Sequence, residues 1–431
     1  MSSVINFICS PGIGHLDNSF PLIVGLRNYT KKNATIFFTK ESMVNHLINN
    51  PTLLSIHKKT FNKNYVQIKN IILTSDNLEK LQNLLNNKML KFFLFRILIP
   101  LRLKIFYFPI LKKFKVGTLS LKKIFNPKDI IIFDPFEIIQ NKEYIKQIYL
   151  IIENNFKIGI RHGVGNDQIK INKKVILKKN SILKNKKTNI KNIIYLSHSK
   201  KQTQYIRKTT NINFKKILNS GVLKYSGYWK SIIKKETFNK KFNQRDDFVY
   251  IISRHTTKYF SLKKKIELIK LLKETLIEKF NLKLIIKFHP KEDPKTALMI
   301  YNMYLGSKNY NKTWFLVNQH SFKICEICKF GISFVSSVTV DLLSYNKFTI
   351  EILNLKNKKS KNNYNLSFTK NKLVLVPKNI KDFERIIEMI LIKKINHSCF
   401  KKFNELYYKP DYPNTIKTIS RYYNEYCCNL R

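Results

Sequence analysis

Short apolar runs bounded by polar or small residues recur along the chain and set its architecture. In the first half they fall at Val4–Cys9, Ala34–Phe38, Ile68–Leu73, Asp129–Phe133, Lys157–Ile160, Ile193–Leu196 and Lys216–Leu218. In the second half they fall at Phe248–Ile252, Lys283–Phe288, Thr313–Val317, Gly331–Val335 and Phe348–Leu353. Continuous apolar runs of this length, rather than strict alternation, are what strands buried on both faces require. Between several of them apolar residues recur three and four apart, most clearly over Leu262–Lys279, which predicts helix. Strand and helix alternating twice over predict an α/β protein with two Rossmann-like domains and a cleft between them.

The expected boundaries are an N-terminal domain over residues 1–225, a C-terminal domain over 226–378 and a helical tail over 379–431 that crosses back to the first domain. Gly221, Gly227 and a Lys/Asn-rich run mark Gly221–Phe242 as the expected hinge.

Two strand ends in the second half carry the most informative chemistry. Leu284-Ile285-Ile286-Lys287-Phe288 stops at His289-Pro290, and Phe334-Val335 stops at Ser336-Ser337, which would open a helix from Val338 to Tyr345. Free N–H groups and hydroxyls at such a helix start favour an anion. Pro290 restricts His289, so the imidazole is expected to project from the sheet edge, where it can donate to a phosphate oxygen. Taken singly, Ser336 is also an ordinary helix cap and His289 an ordinary turn residue.

Together these segments resemble bacterial surface-polysaccharide transferases of the GT-B type, including capsule and polysialic acid transferases and the glycerophosphotransferases that use CDP-glycerol. In those families a His-Pro after one strand and a Ser-Ser opening a later helix hold the donor's phosphate. The run continues through Asp341-Leu342-Leu343-Ser344-Tyr345-Asn346-Lys347, similar to the families' acidic residue, apolar helix and Asn-Lys turn. It departs from them at Phe348, where they carry proline. The resemblance covers the second half well and the first half only in organisation.

It implies a metal-independent GT-B glycosyltransferase or glycerophosphotransferase, with a CMP- or CDP-linked donor as substrate, a cell-surface glycan as acceptor and no cofactor. His289, Pro290, Ser336 and Ser337 would hold the donor. Ser253 and Arg254, after strand Phe248–Ile252, would join them, because a guanidinium can fork two phosphate oxygens. Arg254 is equally readable as a solvated arginine.

On the acceptor side, Ser10-Pro11-Gly12-Ile13-Gly14-His15-Leu16-Asp17 follows the first strand. A dinucleotide fingerprint would need glycine where Asp17 stands, which counts against a dehydrogenase. Asp17 and His15 are the expected candidates for the general base, against readings as a first-turn acid and a loop histidine. His162, in Arg161-His162-Gly163-Val164-Gly165, is a candidate cleft-wall residue or a turn histidine. Glu326 is a candidate ribose contact or a surface glutamate.

Composition alters this picture in two places. The formal charge is +53 in 431 residues, which attracts polyanions, yet lysine is spread evenly among abundant Asn and Ile and no nucleic-acid module accompanies it. Nucleic acid is therefore not the expected partner. Lys91–Lys115 is aromatic, leucine-rich and basic, with Pro100 and Pro109 inside it. It suits an amphipathic element on an anionic membrane surface, or a helix pair packed on the first sheet, rather than a span. Six cysteines without regular spacing imply reduced thiols, no metal site and a cytoplasmic protein that could sit on the inner membrane face.

Two rival functions stay open. A nucleotide-sugar epimerase of the same build would need several cleft carboxylates to shuttle protons. A non-catalytic, basic membrane-surface or polyanion-binding protein would bind in a salt-sensitive way and be indifferent to Ser336→Ala.

Overall fold

The computed structural model describes residues 4–9, 14–38, 47–60, 125–135, 152, 154–161, 193–209, 215–236, 247–257, 260–289, 292–334, 336–353, 355 and 367–430. The expected strand Ile68–Leu73, the segment Lys91–Lys115, Ser10–Ile13, His162 and Pro290 lie outside them.

Six parallel strands form the first sheet: β1 (Ile5–Cys9), β2 (Ala34–Phe38), β3 (Ile130–Phe133), β4 (Phe156–Ile160), β5 (Ile193–Ser197) and β6 (Lys216–Asn219). Their order is β2-β1-β3-β4-β5-β6. Five more form the second: β7 (Phe248–Ile252), β8 (Lys283–Lys287), β9 (Trp314–Leu316), β10 (Cys328–Ser333) and β11 (Thr349–Glu351), ordered β11-β10-β7-β8-β9 and again parallel. Strands β1, β3, β4, β5 and β7 are buried at every position, as sheets with both faces covered require.

Among the described residues the helices are α1 (Gly14–Thr30), α2 (Pro51–Thr60), α3 (Lys200–Thr209), α4 (Gly227–Lys235), α5 (Leu262–Leu272), α6 (Pro294–Leu305), α7 (Ser321–Ile327) and α8 (Val338–Leu343). Four more close the chain: α9 (Ser367–Lys370), α10 (Ile380–Leu391), α11 (Ser398–Leu406) and α12 (Tyr412–Cys428). The last of these returns to the first sheet. Tyr412 Oη donates to the Pro21 carbonyl of α1 at 2.8 Å, and Tyr423 Oη donates to the Lys128 carbonyl at 2.7 Å. Tyr423 also meets Phe156 of β4 edge to face.

Residues 221–236, the described part of the expected hinge, carry regular structure. After Gly221, at φ +66°, comes a 3₁₀ turn at Leu223–Tyr225 and then α4, capped by Ser226 and anchored by the fully buried Trp229. Gly221 is needed twice over: its backbone is left-handed, and a β-carbon there would lie 2.4 Å from the Tyr408 carbonyl oxygen.

The strand order fixes where a ligand can enter. From β7 the chain moves to β8 and β9 on one side, then crosses to β10 on the other. In open parallel sheets a crevice forms outside the carboxyl ends of the strands at such a reversal. Here it lies between β7 and β10.

Candidate nucleotide edge and interdomain cluster

Three neighbouring strands, β10, β7 and β8, end at the crevice, and their loops touch. Arg254, after β7, donates from Nη1 to the Phe334 carbonyl after β10 at 3.1 Å. His255 and His289, after β7 and β8, bring their ring centroids to 4.5 Å. A guanidinium and two imidazoles thus gather where the strand order reverses. Ser336 sits beside them, its N–H donating to Ser333 Oγ at 3.1 Å and its own Oγ accepting from Val338 N–H at 3.3 Å. Ser336 therefore caps α8. Ser337 makes no capping bond and faces outward, and the helix ends at Leu343, two residues short of the expected Tyr345.

Ser253 does not face the crevice as expected. Its side chain is buried, accepting from Tyr301 Oη at 2.8 Å and donating to Glu292 Oε1 at 3.2 Å. Glu292 also accepts the His289 N–H at 2.5 Å and pairs with the buried Lys265 of α5. Lys265 in turn donates to the Arg254 carbonyl at 3.3 Å. One carboxylate therefore joins the loops after β7 and β8 from beneath.

A second polar cluster links the two domains. Lys224, in the 3₁₀ turn, lies 2.8 Å from Asp17 Oδ2 of α1 and 2.8 Å from Asp341 Oδ1 of α8. His320 reaches Asp17 Oδ1 through Nε2 at 2.7 Å, while its Nδ1 accepts the Phe322 N–H at 3.2 Å. That acceptor role leaves the imidazole proton on Nε2, aimed at Asp17. Asp341 is completed by Tyr225 Oη at 3.0 Å and Ser321 Oγ at 2.5 Å.

Electrostatics follow from this pairing. Burial alone would push the Asp17 carboxyl up, but Lys224 and His320 outweigh it and hold the group well below its ordinary range. Lys224 is raised above its ordinary value because two carboxylates outweigh its desolvation. Asp17 is a fixed anion, so it is poorly suited to take up a proton as a general base. His15, the other candidate, belongs to α1 rather than a loop and has no exposed surface, lying edge-on to Phe7.

Glu326 lies on α7, 39% exposed, and pairs with Lys234 at 2.7 Å, a surface position. Cys325 and Cys328 are both buried free thiols, and burial pushes Cys328 up to about 12. No cluster of three or more His, Cys, Asp or Glu side chains suited to a metal ion occurs among the described residues. No helix there is long and apolar enough to cross a membrane.

Similarity to solved structures extends over nearly the whole chain. A putative UDP-N-acetylglucosamine 2-epimerase from Listeria monocytogenes matches with a TM-score of 0.56 at 10% identity, covering 99% of this chain and 97% of that one. The chain has the GT-B fold. The UDP-GlcNAc 2-epimerase of Methanocaldococcus jannaschii, solved with UDP-GlcNAc and UDP, matches this GT-B chain with a TM-score of 0.52 at 13% identity, over 98% and 100% of the two chains. S. aureus MnaA, solved with UDP, gives 0.52 at 9% identity over 99% and 98%. No family model matches the sequence, and no curated protein matches it.

The sequence reading missed Glu292, Lys265, Lys224 and His320. Glu292 had a local signal, an acid two residues past the His-Pro. The other three had none.

Proposed function

We propose that this GT-B protein is a nucleotide-sugar-utilising enzyme that binds its donor at the carboxyl edge of β10, β7 and β8. The observation that carries the reading is the gathering of Arg254, His255 and His289 at the topological reversal, with the start of α8 beside them. Charge developing on a departing phosphate would be met there by a guanidinium and imidazoles already in place. Of the reactions open to such a site, transfer to an acceptor hydroxyl is the one we favour, as a glycosyltransferase or glycerophosphotransferase building a surface glycan. It is supported by the His289-Pro290 and Ser336-Ser337 resemblance, which also favours a cytidine donor. In this reading Asp17 anchors Lys224 and His320 rather than accepting the proton. Lys91–Lys115 would hold the enzyme at the cytoplasmic membrane face near its acceptor.

A second reading is 2-epimerisation of a nucleotide sugar, favoured by the fold likeness to the Listeria and Methanocaldococcus proteins. The two are separated by isothermal titration with CMP, CDP and UDP, followed by proton NMR of the donor alone. We expect one pyrimidine nucleotide to bind, His289→Ala to weaken it at least about tenfold, as loss of a charge-assisted bond does, and the donor to stay unepimerised without an acceptor. Nucleotide affinity unchanged in His289→Ala would overturn the site. Epimerisation of the donor alone would overturn the transfer.

A further inference from the structure

The bond pattern around Glu292 is unlike that of a residue serving only to hold the core. Its carboxylate is 7% exposed and its charge is balanced by Lys265, which is 2% exposed. Such a buried pair contributes little net stability, because desolvation offsets the attraction and apolar residues of similar volume do as well. What apolar residues could not do is accept hydrogen bonds. Oε2 takes the His289 N–H and Oε1 takes the Ser253 hydroxyl, so both oxygens are committed to loops that emerge from adjacent strand ends. Lys265 adds the Arg254 carbonyl, and Tyr301 of α6 fixes the rotamer of Ser253. Every group tied down belongs to, or directly adjoins, a residue that lines the crevice.

We propose that Glu292 is the positioning residue of the nucleotide-phosphate edge: with Lys265 as its counter-charge, it sets the spacing of the β7 and β8 loops at which Arg254, His255 and His289 address one phosphate. The inference rests on the nucleotide reading above, and it accounts for why an acid stands immediately beneath a site built for anions. Its full charge is cancelled by Lys265, so it orders the loops without repelling the ligand. Glu292 itself has no need to touch the nucleotide.

The test separates position from stability. Glu292→Asp keeps the charge for Lys265 but is one methylene shorter, so it cannot span both loops. The double variant Lys265→Met/Glu292→Gln removes both charges at nearly constant shape. For each, Tm is measured by calorimetry and Kd for the nucleotide that binds the wild type by isothermal titration. We expect both variants to melt within a few degrees of the wild type yet to bind about tenfold more weakly, the loss of roughly one hydrogen bond to a charged group. An affinity that stays at the wild-type value, or that falls only in proportion to Tm, overturns the inference. If the wild type binds no nucleotide, or His289→Ala binds as well as wild type, it is the underlying site reading that fails instead.

Discussion

Replacing Lys224 by methionine removes the cation shared by Asp17 of the N-terminal domain and Asp341 of the C-terminal domain. Methionine preserves most of the side-chain volume, so the perturbation is almost purely electrostatic. Both carboxylates lie at 2.8 Å from Nζ and both are largely enclosed, with side-chain exposures of 15% and 4%. Breaking a buried pair from one side costs about 3–5 kcal/mol, because a charge is left uncompensated. Repulsion between the two orphaned carboxylates is of the same order: about 3 kcal/mol at ~5 Å and an effective dielectric of ~20. These are two views of one loss rather than additive terms. For a domain of about 200 residues the expected fall in Tm is roughly 10 °C at neutral pH.

The pH dependence supplies the sharper check. In the wild type the folded Asp17 carboxyl is depressed below its ordinary 3.8, so its contribution is present above that value and is lost as pH falls through the folded value. Lys224 is raised above 10.5, so its contribution is complete below that value and is lost only as pH rises through the folded value. The pair is therefore at full strength across the neutral range. Without Lys224, one carboxyl must rise and bind a proton in the fold that the unfolded chain does not hold. The variant then gains stability relative to wild type on acidification, by about 1.4 kcal/mol per pH unit below the raised value. Thermal melts of both proteins from pH 8 to pH 5 should converge, and adding Asp341→Asn should recover at least half the loss at pH 8. A Tm deficit under about 2 °C, or one that is constant with pH, would refute this account.

Two further outcomes are expected. Gly221→Ala forces a left-handed backbone onto a β-carbon that meets the Tyr408 carbonyl at 2.4 Å; with about 1–2 kcal/mol for the backbone alone, urea unfolding should show a loss of about 3 kcal/mol or more, and wild-type stability would contradict it. His198, pushed down to about 3 by burial and by Arg161, and His57, pushed down to about 4 by burial, stay neutral in the fold. The unfolded chain takes up those protons below about 6.5, so stability should fall by about 2 kcal/mol per histidine between pH 6.5 and 5. Urea titrations at the two pH values check this, and a flat response would exclude it.

The framework was legible because it depends on local pattern. Runs such as Phe248–Ile252 and Ala34–Phe38 match their strands to the residue, since an apolar stretch ending in polar residues leaves one choice of segment to bury. Strand β10 begins at Cys328 rather than Gly331, because the exposed Lys329 and a register shift between Cys328 and Phe330 interrupt the apolar run that marks its later part. The places of His289 and Ser336 just beyond strand ends were legible from the same local pattern. The interdomain cluster was not: Asp17 and Lys224 are 207 positions apart, Asp17 and His320 are 303 apart, and a lone lysine in a lysine-rich chain carries no mark of burial. Buried ion pairs look like surface charge until tertiary structure joins them.

That surplus of cation bears on which chemistry the cleft can support. The chain carries 80 Lys and Arg against 27 Asp and Glu. Three buried carboxylates near the crevice are each held by a lysine: Asp17 and Asp341 by Lys224, and Glu292 by Lys265. A carboxylate so held is a weak base, because protonating it would strand the buried lysine. Epimerisation needs acids and bases that exchange protons with carbon, whereas departure of a nucleotide needs fixed positive charge around oxygen. Arg254 provides that charge, and His255 and His289 add imidazole hydrogen-bonding groups at adjoining strand ends, while Asp17, Asp341 and Glu292 are spent on holding elements in place. At these residues the arrangement suits stabilisation of a leaving phosphate better than proton shuttling, on grounds independent of the motif resemblance.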